Sequence, residues 1–147
     1  MKELPKKGKK KYWLLIGITE EKLGIPIKSG MKIVEIARYK GTVPIYFDKI
    51  AFHADAIIPI NRVKIHTDWR GEVKSGLLKM LVVGFGKYKG ATEIHSLGMD
   101  NFHKVIPEAG SIIINKAPVI FGVAYIEDAY DQTAEIRVLL PKEFYTQ

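Results

Sequence analysis

Ala56-Ile-Ile-Pro-Ile60 runs into Asn61-Arg-Val-Lys-Ile-His-Thr-Asp-Trp-Arg-Gly71, and then into Glu72-Val-Lys-Ser-Gly-Leu-Leu-Lys-Met-Leu-Val-Val-Gly-Phe85. The first piece is a short apolar run without alternation, the pattern of a strand covered on both faces in a parallel sheet. Pro59 weakens a central position for it, because proline cannot donate to a ladder. The last piece places apolar residues at nearly every direction around a helix, which predicts a buried helix. A strand, a polar connection and a buried helix are the repeating unit of α/β layer folds.

The flanking sequence fits that unit. Upstream, Lys32 to Ala37 alternates, Tyr39-Lys-Gly-Thr42 is a turn, and Val43 to Phe47 is a second strand, which together predict a hairpin. Asp48 caps a short helix through Ala54. Residues 12–24 read as a helix broken at Gly17, with Thr19 as a new N-cap and Gly24-Ile25-Pro26 as its end. Downstream, Gly84-Phe85-Gly86 stops the buried helix, and Gly90 to Leu97 forms a short helix ended by Gly98. Asp100 to Asn115 forms a longer helix, made irregular by Pro107 and Gly110. Val119 to Ile126 reads as an apolar strand, and Thr133 to Leu140 alternates beyond a turn. The expected fold is α/β: a single layered domain with a mixed, partly parallel sheet, β-hairpins at its margins and helices packed on it.

The 147 residues suit one domain, residues 12–147, behind a lysine-rich tail, residues 1–11. With 47% hydrophobic residues and no cysteine, the chain is neither a disordered chain nor a disulfide scaffold, and thiolate metal sites and cysteine nucleophiles are excluded. No apolar run is long enough to span a bilayer and no signal peptide is read, so the expected location is cytoplasmic, with no membrane partner. The net charge of +7 sits mostly at one end: six lysines less one glutamate give residues 1–11 a charge of +5. A solvated, partly disordered terminus is the ordinary reading of such a tail. A phosphate-attracting arm is the functional alternative, and nucleic-acid binding through it ranks below the readings that follow.

Lys79 lies inside the apolar helix, where an ammonium either snorkels to an edge, loses its proton or finds an anion. Ser75 and Gly76, one turn back, leave room beside its stem. His66 falls just beyond the carboxyl end of the Ala56–Ile60 strand, the place where open α/β sheets gather ligands. Asp68 is near enough to orient an imidazole, and Arg70 can meet a carboxylate. Gly84-Phe-Gly-Lys-Tyr-Lys-Gly90 is neither a P-loop nor a dinucleotide fingerprint. Its Gly86 and Lys87 either help hold a phosphate before a helix N-terminus or form a plain turn between helices. His95 taken alone is as well explained as a core or surface histidine. His53 and His103 look ordinary.

These residues together resemble the lactate racemase family of nickel-pincer-nucleotide-dependent isomerases. The likeness is closest to an uncharacterised branch with the pattern NRVKPHTDFRG, SGLMKM, GLGKxKGA and IH. It rests on Asn61 to Gly71, Ser75 to Leu81, Gly84 to Ala91 and Glu93-Ile-His95, and covers roughly residues 15–144. The Ile18-Thr-Glu-Glu21, Gly24-Ile-Pro-Ile27 and Phe121 to Asp131 runs fit it as well. The resemblance implies that Lys79 tethers the nickel pincer nucleotide (pyridinium-3,5-bisthiocarboxylic acid mononucleotide nickel) and that His95, sixteen residues on, coordinates the nickel. It implies that His66 serves as one acid/base. Ser75, Gly76, Gly86 and Lys87 are then the further candidate cofactor contacts, and Asp68 and Arg70 the candidates for touching substrate or supporting His66.

The implied reaction is racemisation or epimerisation of a small 2-hydroxy acid. A histidine takes the hydroxyl proton while the Cα hydride leaves, and the planar keto acid is reduced from either face. In family members a first acid/base histidine precedes the Ile18-Thr-Glu-Glu region, and a C-terminal domain closes over the substrate. Neither has a counterpart in these 147 residues. The expectation is therefore a cofactor-binding fragment, inactive alone, working with a complementary chain. The competing expectation is a non-catalytic remnant or interaction subunit whose bare apolar faces bind a partner or a homo-oligomer.

Overall fold

The computed structural model describes residues 17–63, 76–128, 130 and 132–145. The lysine tail and the Tyr12–Ile16 run lie outside these residues, as do four site candidates: His66, Asp68, Arg70 and Ser75. Two compact units divide the chain, Met1–Met31 and Lys32–Gln147. In the first, Thr19 caps α1 (Glu20–Leu23) by accepting from the Lys22 amide at 3.1 Å, and Gly24 ends it with φ of 66°. The sequence reading of this short helix holds.

The second unit begins with a hairpin. β1 (Ile33–Tyr39) pairs antiparallel with β2 (Val43–Asp48) from Ile33 opposite Asp48 to Tyr39 opposite Val43, with one irregularity between Glu35 and Ala37. Asp48 then caps α2 (Lys49–Phe52). The hairpin forms a two-stranded sheet of its own and does not join the mixed sheet as a margin.

Among the described residues that mixed sheet has three strands in the order β3-β4-β5. β3 (Ile60–Val63) runs parallel to β4 (Gly122–Glu127), and β4 runs antiparallel to β5 (Thr133–Leu139). The expected Ala56–Ile60 strand is therefore displaced. Ile57 makes a single parallel bridge to Val119, the pairing lapses around Pro59, and the continuous strand starts at Ile60. Proline offers no amide to the ladder, so the break falls where the missing donor puts it. The Pro59 carbonyl still accepts from the Val123 amide at 2.9 Å, which keeps the two chain pieces aligned.

Between β3 and β4 lie the helices. α3 (Leu77–Lys79) continues as a π-helical turn (Met80–Gly84), closed by the Phe85 amide on the Met80 carbonyl at 2.9 Å. α4 (Lys87–His95) follows, then a 3₁₀ turn (Met99–Asn101) and α5 (Phe102–Lys116). α5 passes through Pro107 and Gly110 as one helix, against the expected irregularity. Its buried residues Phe102, Val105, Ile106, Ala109, Gly110 and Ile113 form one helical stripe, and burial of that stripe overrides the local preference. Gly110 is there for contact: a Cβ on it would stand 2.6 Å from Leu78 Cδ2. The core is completed by Phe47, Leu77, Leu81, Ile94 and Phe144. The predicted α/β class is the observed one.

Candidate functional site

The connection that carries His66 leaves from β3 and returns at α3, and the structure shows what holds its two ends. Asn61 on β3 donates from Nδ2 to the Gly76 carbonyl at 3.0 Å, and the Met80 amide bonds the same oxygen at 3.0 Å. Gly76 has φ of 117°, a backbone conformation that L side chains rarely adopt. Gly76 is thus a backbone corner tied to the end of a parallel strand. Its room for a ligand beside the lysine stem is secondary to that role. Asn61 was read only as the start of a motif; an amide side chain two residues from a strand end was the available signal.

α3 and the π turn are not buried all round. Leu77, Leu78, Leu81 and Val82 are sealed in the core, whereas Lys79, Met80 and Val83 are half-buried and Gly84 is exposed. The helix has one core face and one face toward the surface, and Lys79 belongs to the second. Burial pushes the Lys79 ammonium below the ordinary lysine range. A larger fraction of free amine follows at any given pH, which is what a lysine nucleophile needs. The turn directly after it is π-helical, a rare geometry found often at functional sites. Gly84 fits the sulfur of Met80, since a Cβ there would meet Sδ at 2.5 Å.

His95 lies near the C-terminal end of α4, exposed, with its ring 5.0 Å from the ring of buried Phe102 at a tilt of 58°. This contact steadies the imidazole while leaving it open to solvent. α4 packs against the π turn that follows Lys79. Among the described residues no three His, Asp or Glu side chains gather as a metal-binding group.

The Gly84–Gly90 stretch has a clear packing role. Lys87 Nζ reaches Asp48 Oδ2 at 2.8 Å, while Asp48 Oδ1 caps α2 through the Ile50 and Ala51 amides at 2.7 and 2.9 Å. Burial of Asp48 works to raise its pKa, but the Lys87 ammonium and the two amides outweigh it and hold the carboxyl below its ordinary value. Lys87 itself has φ of 54°, a left-handed conformation uncommon outside glycine. Lys89 stands over the Tyr46 ring at 4.4 Å. A Cβ on Gly86 would meet the Val82 carbonyl at 3.0 Å and Gly90 Cα at 3.1 Å, so its small size is used by the chain's own packing. Sequence reading missed the Asp48–Lys87 pair, because nothing local links a cap to a lysine thirty-nine positions away.

Of the nine sequence-predicted site residues, five are described: Gly76, Lys79, Gly86, Lys87 and His95. Two of them fit the implied cofactor in their donor chemistry, the desolvated Lys79 amine and the open His95 imidazole. The Lys87 ammonium is engaged with Asp48. No helix among the described residues is long and apolar enough to cross a membrane. The fold and these groups define an α/β protein with a half-buried lysine and an exposed histidine on packed helices. A scan against protein-family models finds no match, and a search of curated proteins finds no similar chain.

Proposed function

We propose that this chain carries a covalently tethered nickel pincer nucleotide for the racemisation or epimerisation of a 2-hydroxy acid. The observation that carries this reading is Lys79: a desolvated amine on the surface-facing side of a helix, followed at once by a π turn. On this reading Lys79 holds the nucleotide through its amine, and His95 offers its imidazole to the nickel from a ring steadied by Phe102. The bound group supplies the acceptor for the substrate's hydride. His66 exchanges the hydroxyl proton from the connection anchored by Asn61 and Gly76, and the opposed base comes from outside residues 1–147. Lys87 keeps α4 seated on β2 through Asp48.

The test is intact-protein mass after expression beside the cofactor-synthesis enzymes. A cofactor-sized adduct mapping to Lys79 is expected, and it should vanish in Lys79→Ala. His95→Ala should keep the adduct and lose nickel, which separates tether from ligand. An unmodified Lys79 under conditions that load a full-length relative overturns the reading.

A further inference from the structure

The mixed sheet ends on an edge that few monomeric proteins leave open. Among the described residues β5 is its last strand, and from Thr133 through Val138 every residue is exposed. Natural edges are blunted by lysine, proline or a bulge, because a row of free amides and carbonyls templates pairing with another chain. β5, Thr133-Ala-Glu-Ile-Arg-Val-Leu139, contains no lysine, proline or glycine, and its pairing with β4 is regular from Glu135 to Leu139, the one irregularity falling at Ala134. Ile136 and Val138 are 65% and 67% exposed. Across the sheet Val138 is opposite Val123, which is opposite Ile60, itself 62% exposed. The row Ile60, Val123 and Val138 is therefore an apolar strip that reaches β5, beside the Arg62–Glu127 ion pair on the same face.

The charges on β5 say what pairs with it. Glu135 and Arg137 share the face opposite Ile136 and bond each other along the strand, at 2.6 Å to Nε and 2.9 Å to the terminal nitrogen. Suppose a second β5 lies antiparallel across a two-fold axis normal to the sheet. Residues directly opposite must then point to the same face, so the axis passes through a residue position. Centred on Glu135 it sets carboxylate against carboxylate, and centred on Arg137 it sets guanidinium against guanidinium. Centred on Ile136 it sets Glu135 against Arg137 of the other copy twice over, with Ile136 against Ile136 on the apolar face. Like charges directly opposite destabilise a strand pair, and opposite charges and apolar pairs stabilise it. Of these three registers, only the one centred on Ile136 is self-complementary.

We propose that β5 is a dimerisation edge, and that two copies of this chain join their three-stranded sheets into one six-stranded sheet about Ile136. The pairing is isologous and closed, so it consumes both edges and stops at two. It stands independently of the cofactor reading.

The experiment is the mass of the full chain in solution by light scattering and sedimentation, with the charge variants Arg137→Glu and Glu135→Arg. The parent chain should be a dimer. Each variant alone places like charges in both cross-strand pairs and should weaken the dimer by roughly tenfold or more. Mixed in equal amounts, the two variants should recover a heterodimer, because one edge is then all acidic and the other all basic. Recovery on mixing also shows that both variants are folded. A monomeric parent overturns the proposal, as does a dimer unaffected by either charge variant or a failure to recover on mixing. Association beyond two copies, or a stable complex with a different chain in place of the second copy, overturns it equally.

Discussion

Asp48 is the residue on which three local structures meet: it ends β2, caps α2 and holds Lys87 at the start of α4. Asp48→Asn keeps an acceptor for the cap but leaves the Lys87 ammonium without its carboxylate. The expected cost is about 2 kcal/mol, less than for a fully buried pair because Lys87 reaches water. Its pH dependence has a definite sign. The carboxyl is held below its ordinary value of 3.8, so its contribution is complete above that pH and is lost as pH falls through the lower native value. The stability difference between parent and Asp48→Asn, read by urea denaturation, should therefore be constant near neutrality and shrink below pH 3.8. Lys79 makes a second residue-scale prediction. Competition labelling with an amine-reactive reagent should show it losing its proton at a lower pH than the exposed lysines, in keeping with its desolvation. Lys79 was legible in the sequence as a charge within an apolar helix. The Asp48–Lys87 pair was not, because it is a tertiary contact between a cap and a turn.

At the scale of elements, the two helical surfaces that meet the sheet do so through glycine. A Cβ on Gly122 of β4 would stand 2.6 Å from Leu77 Cδ1 and 2.7 Å from Phe144 Cζ. Gly122→Ala should destabilise the fold by about 1–3 kcal/mol, the usual range for overpacking a filled core. Leu77→Ala alone should cost about 2–5 kcal/mol through the cavity it opens. The double variant should cost less than the sum, since the new methyl takes part of the space Leu77 leaves; a thermal or urea denaturation cycle measures it. Alternation made the hairpin and β5 legible, and the cap made α1 and α2 legible. Pro59 shifted β3 by withholding an amide, and the core stripe of α5 carried that helix through Pro107. Both departures are cases of tertiary packing or a missing donor deciding what local propensity leaves balanced.

At the scale of the whole molecule, the net charge is concentrated at one end of the sequence. The +5 of residues 1–11 leaves only +2 for the other residues. Retention of the full chain on an immobilised polyanion should fall steeply with salt, and most of that retention should disappear on deleting residues 1–11. Unchanged retention after the deletion would place the basic surface elsewhere. On the mixed sheet Ile60, Ile136 and Val138 are exposed apolar side chains.

The sequence by itself determined the class of fold, because strand and helix periods and caps are local properties written residue by residue. It also singled out Lys79 as a charge inside an apolar run, whereas His95 entered only through the family resemblance. Only the tertiary structure decided that Lys79 sits half-buried on a surface-facing side, that Lys87 is paired with Asp48, and that the hairpin stands apart from the mixed sheet. It also decided that β5 is the last strand of the mixed sheet among the described residues. These depend on which distant residues become neighbours, and hence on desolvation and pairing that exist only once the chain has packed.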